Sequence, residues 1–322
     1  MRVESKPART RSLHPPIAAD EQGWLDVGDG HRLHWETCGN PEGRPAVFLH
    51  GGPGGGYHAD HRRLFDPHAF RVVLFDQRGA GRSQPAGRVE ANTTAHLVAD
   101  MERLRETLKI DRWLLVGGSW GSTLALAYAQ AHPERVLGMV LRGVFTARKS
   151  ELDWLYREGA SSLFPEAWAE FVDPIPRAER HDLVAAYHRR VFGPDEAVRR
   201  LFARRWCTWE ARVMTLVPRS GEPLDGFDET SISSLARLET HYFLNGAFLP
   251  EGSLIASMSR IAHVPGTIVQ GRYDMVTPPR TAHDLHRAWP ASRLEIVPDA
   301  GHASSEPGVL DRLVEAIDDF AL

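Results

Sequence analysis

Three residues able to perform acyl transfer stand in this sequence at a telling spacing. Gly117-Gly118-Ser119-Trp120-Gly121 matches the pattern G-x-S-x-G within "WLLVGGSWGSTLALA". The apolar run before it predicts a strand and the Ala/Leu-rich run after it a helix, so the serine falls on the turn between them. Side chains two residues either way would collide with that strand and helix, which is why glycines are needed there. Such a turn lifts the hydroxyl clear of the sheet, at a helix N-terminus that favours developing negative charge. Downstream, "VQGRYDMVTPP" offers Asp274 and "VPDAGHASSEP" offers His302, each just past a strand-like run and in the order acid, then histidine. Asp299 competes as the acid but shares a loop with His302. Asp274 comes from a separate strand and can reach the far ring nitrogen. In this chemistry His302 takes the Ser119 proton, Asp274 holds the imidazole and stabilises its charged form, and Ser119 attacks a carbonyl.

The stretch "FLHGGPGGGYHADH", residues 48–61, admits three readings. A phosphate cradle needs G-x-x-x-x-G-K-[ST], and no lysine follows these glycines; the dinucleotide pattern G-x-G-x-x-G also fails. A catalytic zinc needs three converging ligands with an open position. His58, Asp60 and His61 are near each other, but no H-E-x-x-H or second cluster accompanies them, so no metal is expected. The third reading fits the serine. An oxyanion hole combines the backbone N–H after the nucleophile with one from the loop after the third strand. Glycines let that loop approach a reacting carbonyl closely. Gly52 and Trp120 are the two expected donors, and His50 is a candidate brace for the loop.

These residues need a frame. Residues 1–20 are polar and proline-containing. "GWLDVG" and "HRLHWETCG" read as a hairpin around Asp29-Gly30. Short, near-continuous apolar runs follow at 46–50, 71–76, 113–118 and 136–143, as expected for strands of a parallel sheet buried on both faces. Between them "NTTAHLVADMERLRETLKI" places Leu97, Met101, Leu104 and Leu108 at helical spacing, with Thr93 or Thr94 as the cap. "STLALAYAQAHP" forms a second helix, ending before Pro133. From about 146 to 260 the strand pattern gives way to helix formers rich in Trp and Arg. Strand-like runs return at 266–271 and 293–298, and "GVLDRLVEAIDDFAL" closes the chain as an amphipathic helix. The expected fold class is α/β: a mostly parallel central sheet flanked by helices, with an inserted helical segment.

Composition excludes several classes. The chain of 322 residues has a formal net charge of -4, and its basic residues are arginines apart from Lys6, Lys109 and Lys149. The arginines are scattered rather than massed, which disfavours nucleic acid as a partner. Cys38 and Cys207 form neither a disulfide framework nor a CxxC motif, in keeping with a reducing compartment. No signal-peptide pattern and no run of about 18 apolar residues is found, so the expectation is a cytoplasmic protein with no membrane span.

The motifs together resemble the α/β-hydrolase superfamily and, more narrowly, the proline iminopeptidase (prolyl aminopeptidase) family. The likeness runs from about residue 20 to 320. It rests on "HGGPGGG", "DQRGAGRS", "GGSWGSTLALAYA", "LRGVF", the "WE" at 209–210, "ETHYF", "GRYDMVTPP" and "AGH". It implies an α/β-hydrolase core over 1–145 and 261–322, a helical cap over 146–260, and removal of N-terminal proline from peptides without a cofactor. Ser119, Asp274 and His302 match the family triad. Glu210 and Glu239 match the cap carboxylates that bind the substrate's free amino end, and Phe145 matches a wall of the proline pocket. An exopeptidase must reject internal bonds, and a charged imino nitrogen marks a chain end that a partly dry carboxylate binds strongly. Trp206, Trp209 and Phe243 are candidates to pack on the pyrrolidine ring. Asp76 and Arg78 are expected to brace a loop. Cys207 lies near Glu210, as a pocket thiol or a core one. An esterase, amidase or lactonase on the same frame is the alternative function, and a non-catalytic ligand binder is a third. The sequence leaves the oligomeric state open.

Overall fold

The short apolar runs become one eight-stranded sheet. The computed structural model describes residues 11–218 and 221–321. The strands are β1 (Glu21–Gly28), β2 (His31–Gly39), β3 (Arg44–Leu49), β4 (Phe70–Phe75), β5 (Trp113–Ser119), β6 (Val136–Val144), β7 (Gly266–Gly271) and β8 (Ser292–Val297). Their spatial order is β1-β2-β4-β3-β5-β6-β7-β8. β1 and β2 form the antiparallel hairpin expected around Asp29-Gly30, and β2 pairs antiparallel with β4. Every pair from β4 onward is parallel.

Alternation along the central strands sends side chains to two cores. Val47 and Leu49 of β3 and Leu115 of β5 face one side; Ala46, Phe48, Leu114 and Val116 face the other. Helices α1 (Thr94–Thr107), α2 (Trp120–Ala131) and α9 (Pro279–Ala288) cover the first side, and α10 (Pro307–Asp318) the second. Of the two capping candidates, Thr93 holds the N-cap, its side chain accepting from His96 N.

Between β6 and β7 lie α3 (Lys149–Tyr156), α4 (Pro165–Val172), α5 (Leu183–Val191), α6 (Glu196–Val213), α7 (Glu229–Leu244) and the short α8 (Ser253–Ala256). α4, α5, α6 and α7 pack on one another, whereas α8 and the turn after it pack on α2 and α9. The aromatic side chains that make this segment look unlike the sheet region fill its own core: Phe171 stacks on Tyr187 at 4.4 Å and on Trp209 at 5.7 Å. No helix among the described residues is long and apolar enough to cross a membrane.

The sheet order makes the site. β4 lies on one side of β3 and β5 on the other, so the chain reverses its winding between β3 and β5. Loops leaving the carboxyl ends of two such strands diverge and leave a crevice. The glycine loop leaves β3, and Ser119 ends β5.

Candidate active site

Ser119 has φ 55° and ψ −125°, a positive φ that is unfavourable for a residue with a side chain. The glycines around it are sterically required. A Cβ on Gly121 would strike the Leu49 carbonyl, and one on Gly117 would strike the Gly121 backbone. The turn is therefore held between β3 and α2, with the serine at the first turn of α2. The glycine loop comes close: a Cβ on Gly51 would lie 3.5 Å from Ser119 Cβ. Gly52 has φ +109°, and a Cβ there would meet Gly55 N at 2.9 Å.

His50 does brace this loop. Its Nδ1 pairs with Gly51 O at 2.9 Å, its Nε2 accepts from Gln77 N at 3.0 Å, and its carbonyl accepts from Gln77 Nε2 at 3.1 Å. Gln77 Oε1 in turn accepts the Trp120 indole N–H at 2.9 Å. Asp76 and Arg78 brace neighbouring backbone as expected. Asp76 accepts from Tyr57 N and Arg82 N, and Arg78, held by a two-bond pair with Asp100, donates to the Ala91 and Val27 carbonyls. His58 and His61 hydrogen-bond locally, Asp60 pairs with Arg63, and no group of three metal-ligating side chains converges among the described residues.

Asp274 and His302 meet behind the serine. Asp274 Oδ2 accepts His302 Nδ1–H at 2.8 Å. Val276 N, Thr277 N, Thr277 Oγ1 and Gln270 Nε2 also donate to Asp274. Burial would raise this carboxyl's pKa, but His302, the Thr277 N–H and Arg142 outweigh burial and hold it below its usual value. Burial lowers the His302 pKa, with Asp274 opposing, so the ring is neutral at neutral pH and Nε2 is an acceptor. Asp299 is exposed, which removes it as the partner acid.

One relationship differs from expectation. The donor within hydrogen-bonding distance of His302 Nε2 is Arg142 Nη1, at 3.0 Å, rather than Ser119 Oγ. The same nitrogen donates to His302 O at 2.8 Å. Gly118 makes the room, since a Cβ there would fall on the guanidinium. Nothing in the local sequence around Arg142 signals this contact.

A cavity of about 290 Å³ opens from Ser119 and His302, with Gly52, Phe145, Glu210 and Glu239 also in its walls. Helical spacing explains who faces it. Cys207, Glu210, Ala211 and Met214 form one stripe of α6 and its end, and Leu235, Glu239 and Phe243 one stripe of α7. Phe145 and Phe243 meet edge-on at 5.8 Å. Ser122 Oγ accepts from Phe145 N at 3.0 Å and Thr123 Oγ1 donates to its carbonyl at 2.8 Å, fixing Phe145 beside the start of α2.

Trp206 and Trp209 stand behind the walls instead of in them. Trp206 stacks on Tyr156 at 4.5 Å and gives its indole N–H to Glu239 Oε2 at 2.6 Å. Trp209 turns away and donates to Leu155 O. Cys207 is a buried thiol in the cavity wall, its Sγ 3.6 Å from Ile232 O. Leu152, Leu155 and Tyr156 of α3 line the cavity too, and sequence reasoning missed them.

The two glutamates share the wall of this cavity. Tyr156 donates its hydroxyl to Glu210 Oε1. Burial pushes the Glu210 carboxyl up to about 7. Burial and then the charge of Glu210 push Glu239 well above the usual carboxylate range. The first proton to leave the pair therefore does so near pH 7, giving it one negative charge above that pH. Glu151 also lines the cavity, but its oxygens are taken by Thr146 and Arg148.

The chain matches the family model described as "alpha/beta hydrolase fold" over residues 45–309. It is 51% identical over 311 residues to a proline iminopeptidase of Xylella fastidiosa, covering 96% of this chain and 99% of the relative. It is also 51% identical over 308 residues to a proline iminopeptidase of Arabidopsis thaliana, covering 95% of this chain and 81% of the relative. Among solved structures, an esterase of Exiguobacterium antarcticum superposes with a TM-score of 0.64 at 19% identity, over 92% of this chain and 98% of that one. That last likeness concerns the fold alone. With this crevice, this serine turn and relatives at such identity along nearly its whole length, the chain belongs to the proline iminopeptidase family of the α/β-hydrolase superfamily.

Proposed function

We propose that the protein is a serine exopeptidase that releases N-terminal proline from peptides. The observation that carries this reading is the pair of half-buried Glu210 and buried Glu239, facing a cavity whose other walls include Ser119, His302, Phe145 and Phe243. A pocket walled by aromatic rings with one net negative charge suits a pyrrolidine ring carrying a protonated nitrogen. Glu210 and Glu239 bind that nitrogen, and Phe145 and Phe243 flank the ring. The helices of 146–260 act as the cap that keeps the pocket dry. The relatives' name points the same way.

In this mechanism Ser119 Oγ attacks the prolyl carbonyl as its proton passes to His302 Nε2. Asp274 stabilises the imidazolium. Gly52 N–H and Trp120 N–H receive the oxyanion, at the distances of 2.7–3.1 Å or so that such a hole needs. The C–N bond breaks, and His302 returns the proton to the leaving amine. Water, deprotonated by the same nitrogen, attacks the prolyl ester, releasing proline and restoring Ser119.

Hydrolysis of proline β-naphthylamide tests this. Turnover is expected, with loss of more than about a thousandfold in Ser119→Ala without change in the circular-dichroism spectrum. N-acetylation of the substrate is expected to abolish turnover. An undiminished rate on the acetylated substrate, or far faster turnover of small esters with Glu210→Gln and Glu239→Gln indifferent, would replace this reading with an esterase.

A further inference from the structure

Arg142 stands where two cavities meet. Beyond the cavity of Ser119 lies a second one of about 890 Å³, and the two share Arg142, Ala211, Met214 and Phe227 as walls. The guanidinium is partly buried, and burial lowers its pKa; Asp274 is the carboxylate whose charge opposes that effect. Yet Asp274 is committed to His302, Thr277 and Gln270, and no carboxylate pairs with Arg142 among the described residues. A partly desolvated cation without a counter-charge readily recruits an anion.

The place of that anion follows from the reaction, and so rests on the function proposed above. His302 Nε2 hands its proton to the departing amine, whose nitrogen must come within hydrogen-bonding reach of it. The carboxyl carbon of that same residue is two bonds further on. Arg142 Nη1, 3.0 Å from Nε2, therefore lies within reach of the first leaving residue's carbonyl oxygen. In a dipeptide that group is a carboxylate, which offers the planar guanidinium two oxygens and a full charge.

We propose that Arg142 binds the free carboxylate of prolyl dipeptides, so that a single amino acid is the preferred leaving group and departs into the second cavity. Drawn to that carboxylate, the guanidinium gives up Nε2, which is then free to accept the Ser119 proton.

The test compares kcat/KM of the intact protein for Pro-Ala, Pro-Ala amide and Pro-Ala-Ala, with proline β-naphthylamide as reference. The free dipeptide is expected to exceed its amide by about tenfold or more, the size of one charge-assisted hydrogen bond. The tripeptide should resemble the amide, since its carboxylate lies one residue too far. In Arg142→Met the gap is expected to shrink below about twofold, and in Arg142→Lys part of it should remain. The wild-type comparison needs no variant and decides even if Arg142→Met does not fold. Acid and amide within twofold in the wild type, alongside normal turnover of proline β-naphthylamide, overturns the role of Arg142 alone. Failure to cleave any prolyl amide overturns the proposed function and this role with it.

Discussion

The Met214 carbonyl accepts the backbone N–H groups of His302 and Ala303, each at 2.9 Å. Met214 is the C-cap of α6, one helical turn beyond Glu210. The Glu210 carboxyl and the His302 imidazole, both in the cavity wall, are therefore joined by a single turn of helix and one carbonyl. A second staple lies alongside: Glu306 Oε1 accepts from Leu216 N at 3.2 Å and from Gly301 N at 3.0 Å.

Glu306 carries this staple from outside the cavity wall. Glu306→Ala should release residues 214–216 from the His302 loop and lower kcat/KM for proline β-naphthylamide by roughly three- to tenfold, comparable to losing one or two hydrogen bonds. Glu306→Gln keeps the accepting oxygen and should recover most of the loss. Equal losses in both variants would mean that the charge, not the staple, matters.

The acid limb of the pH profile should report the glutamate pair. Burial pushes the Glu210 carboxyl up to about 7, and under the proposed function its deprotonated form binds the substrate's ammonium. Below that pH kcat/KM should fall. His302 is lowered from its ordinary value and so remains a competent base further down. In Glu210→Gln the plateau should drop by about tenfold or more, and the limb should shift to lower pH, where His302 protonates. A limb that stays near 7 in this variant would assign it to another group.

The same pair should weaken the free protein at alkaline pH. Both carboxyls have folded-state pKa values above their ordinary ones, so the folded chain holds protons that the unfolded chain releases. Their contribution to stability is full below the ordinary carboxylate value of 4.5 and falls as pH rises above it, through about 7 for Glu210 and beyond that for Glu239. Replacing Glu239 by Gln removes the raised acid and keeps an oxygen for the Trp206 indole. Calorimetry should find Glu239→Gln more stable than wild type by a few degrees at pH 8, with a much smaller gain at pH 5, while its activity falls. A lower melting temperature at pH 8 would show that the pair is not a stored cost.

The parts legible in sequence were those written in local chemistry. β3, β5 and β7 are buried on both faces, so their apolar runs are nearly unbroken, and glycines or prolines punctuate them. Ser119 was findable because Gly117 and Gly121 are each forced by a specific clash. Asp274 could be preferred to Asp299 from topology, and the five donors around its carboxylate explain why that preference holds. Arg142, Tyr156 and Gln77 were not legible in the same way. Their roles come from contacts with residues far off in sequence, and nothing in their own neighbourhoods encodes the partner. Trp206 and Trp209 were misplaced because composition does not say which face of α6 meets the cavity; three residues apart, they point about 60° from one another, and neither points in.

The glycine loop is held against the serine turn by a chain of side-chain contacts through Gln77. Gln77 joins Trp120, whose backbone opens α2, to His50, whose ring holds Gly51. Gln77→Met keeps the side chain's length but leaves the buried Trp120 indole N–H and the His50 carbonyl without partners, at about 1–3 kcal/mol each. It also frees the two expected oxyanion donors, Gly52 and Trp120, to drift apart. Donors aimed at a transition state act on kcat, because the ground-state carbonyl does not yet occupy their focus. The expected result is a fall in kcat of about tenfold or more with KM unchanged within about twofold. The cavity beside Ser119 is walled largely by residues of α3, α6 and α7 and by Arg142 and Phe145, and Gln77 is not among its lining residues. A rise in KM at constant kcat would instead mean that Gln77 supports the pocket, and that the loop holds its position without the Trp120–Gln77–His50 chain.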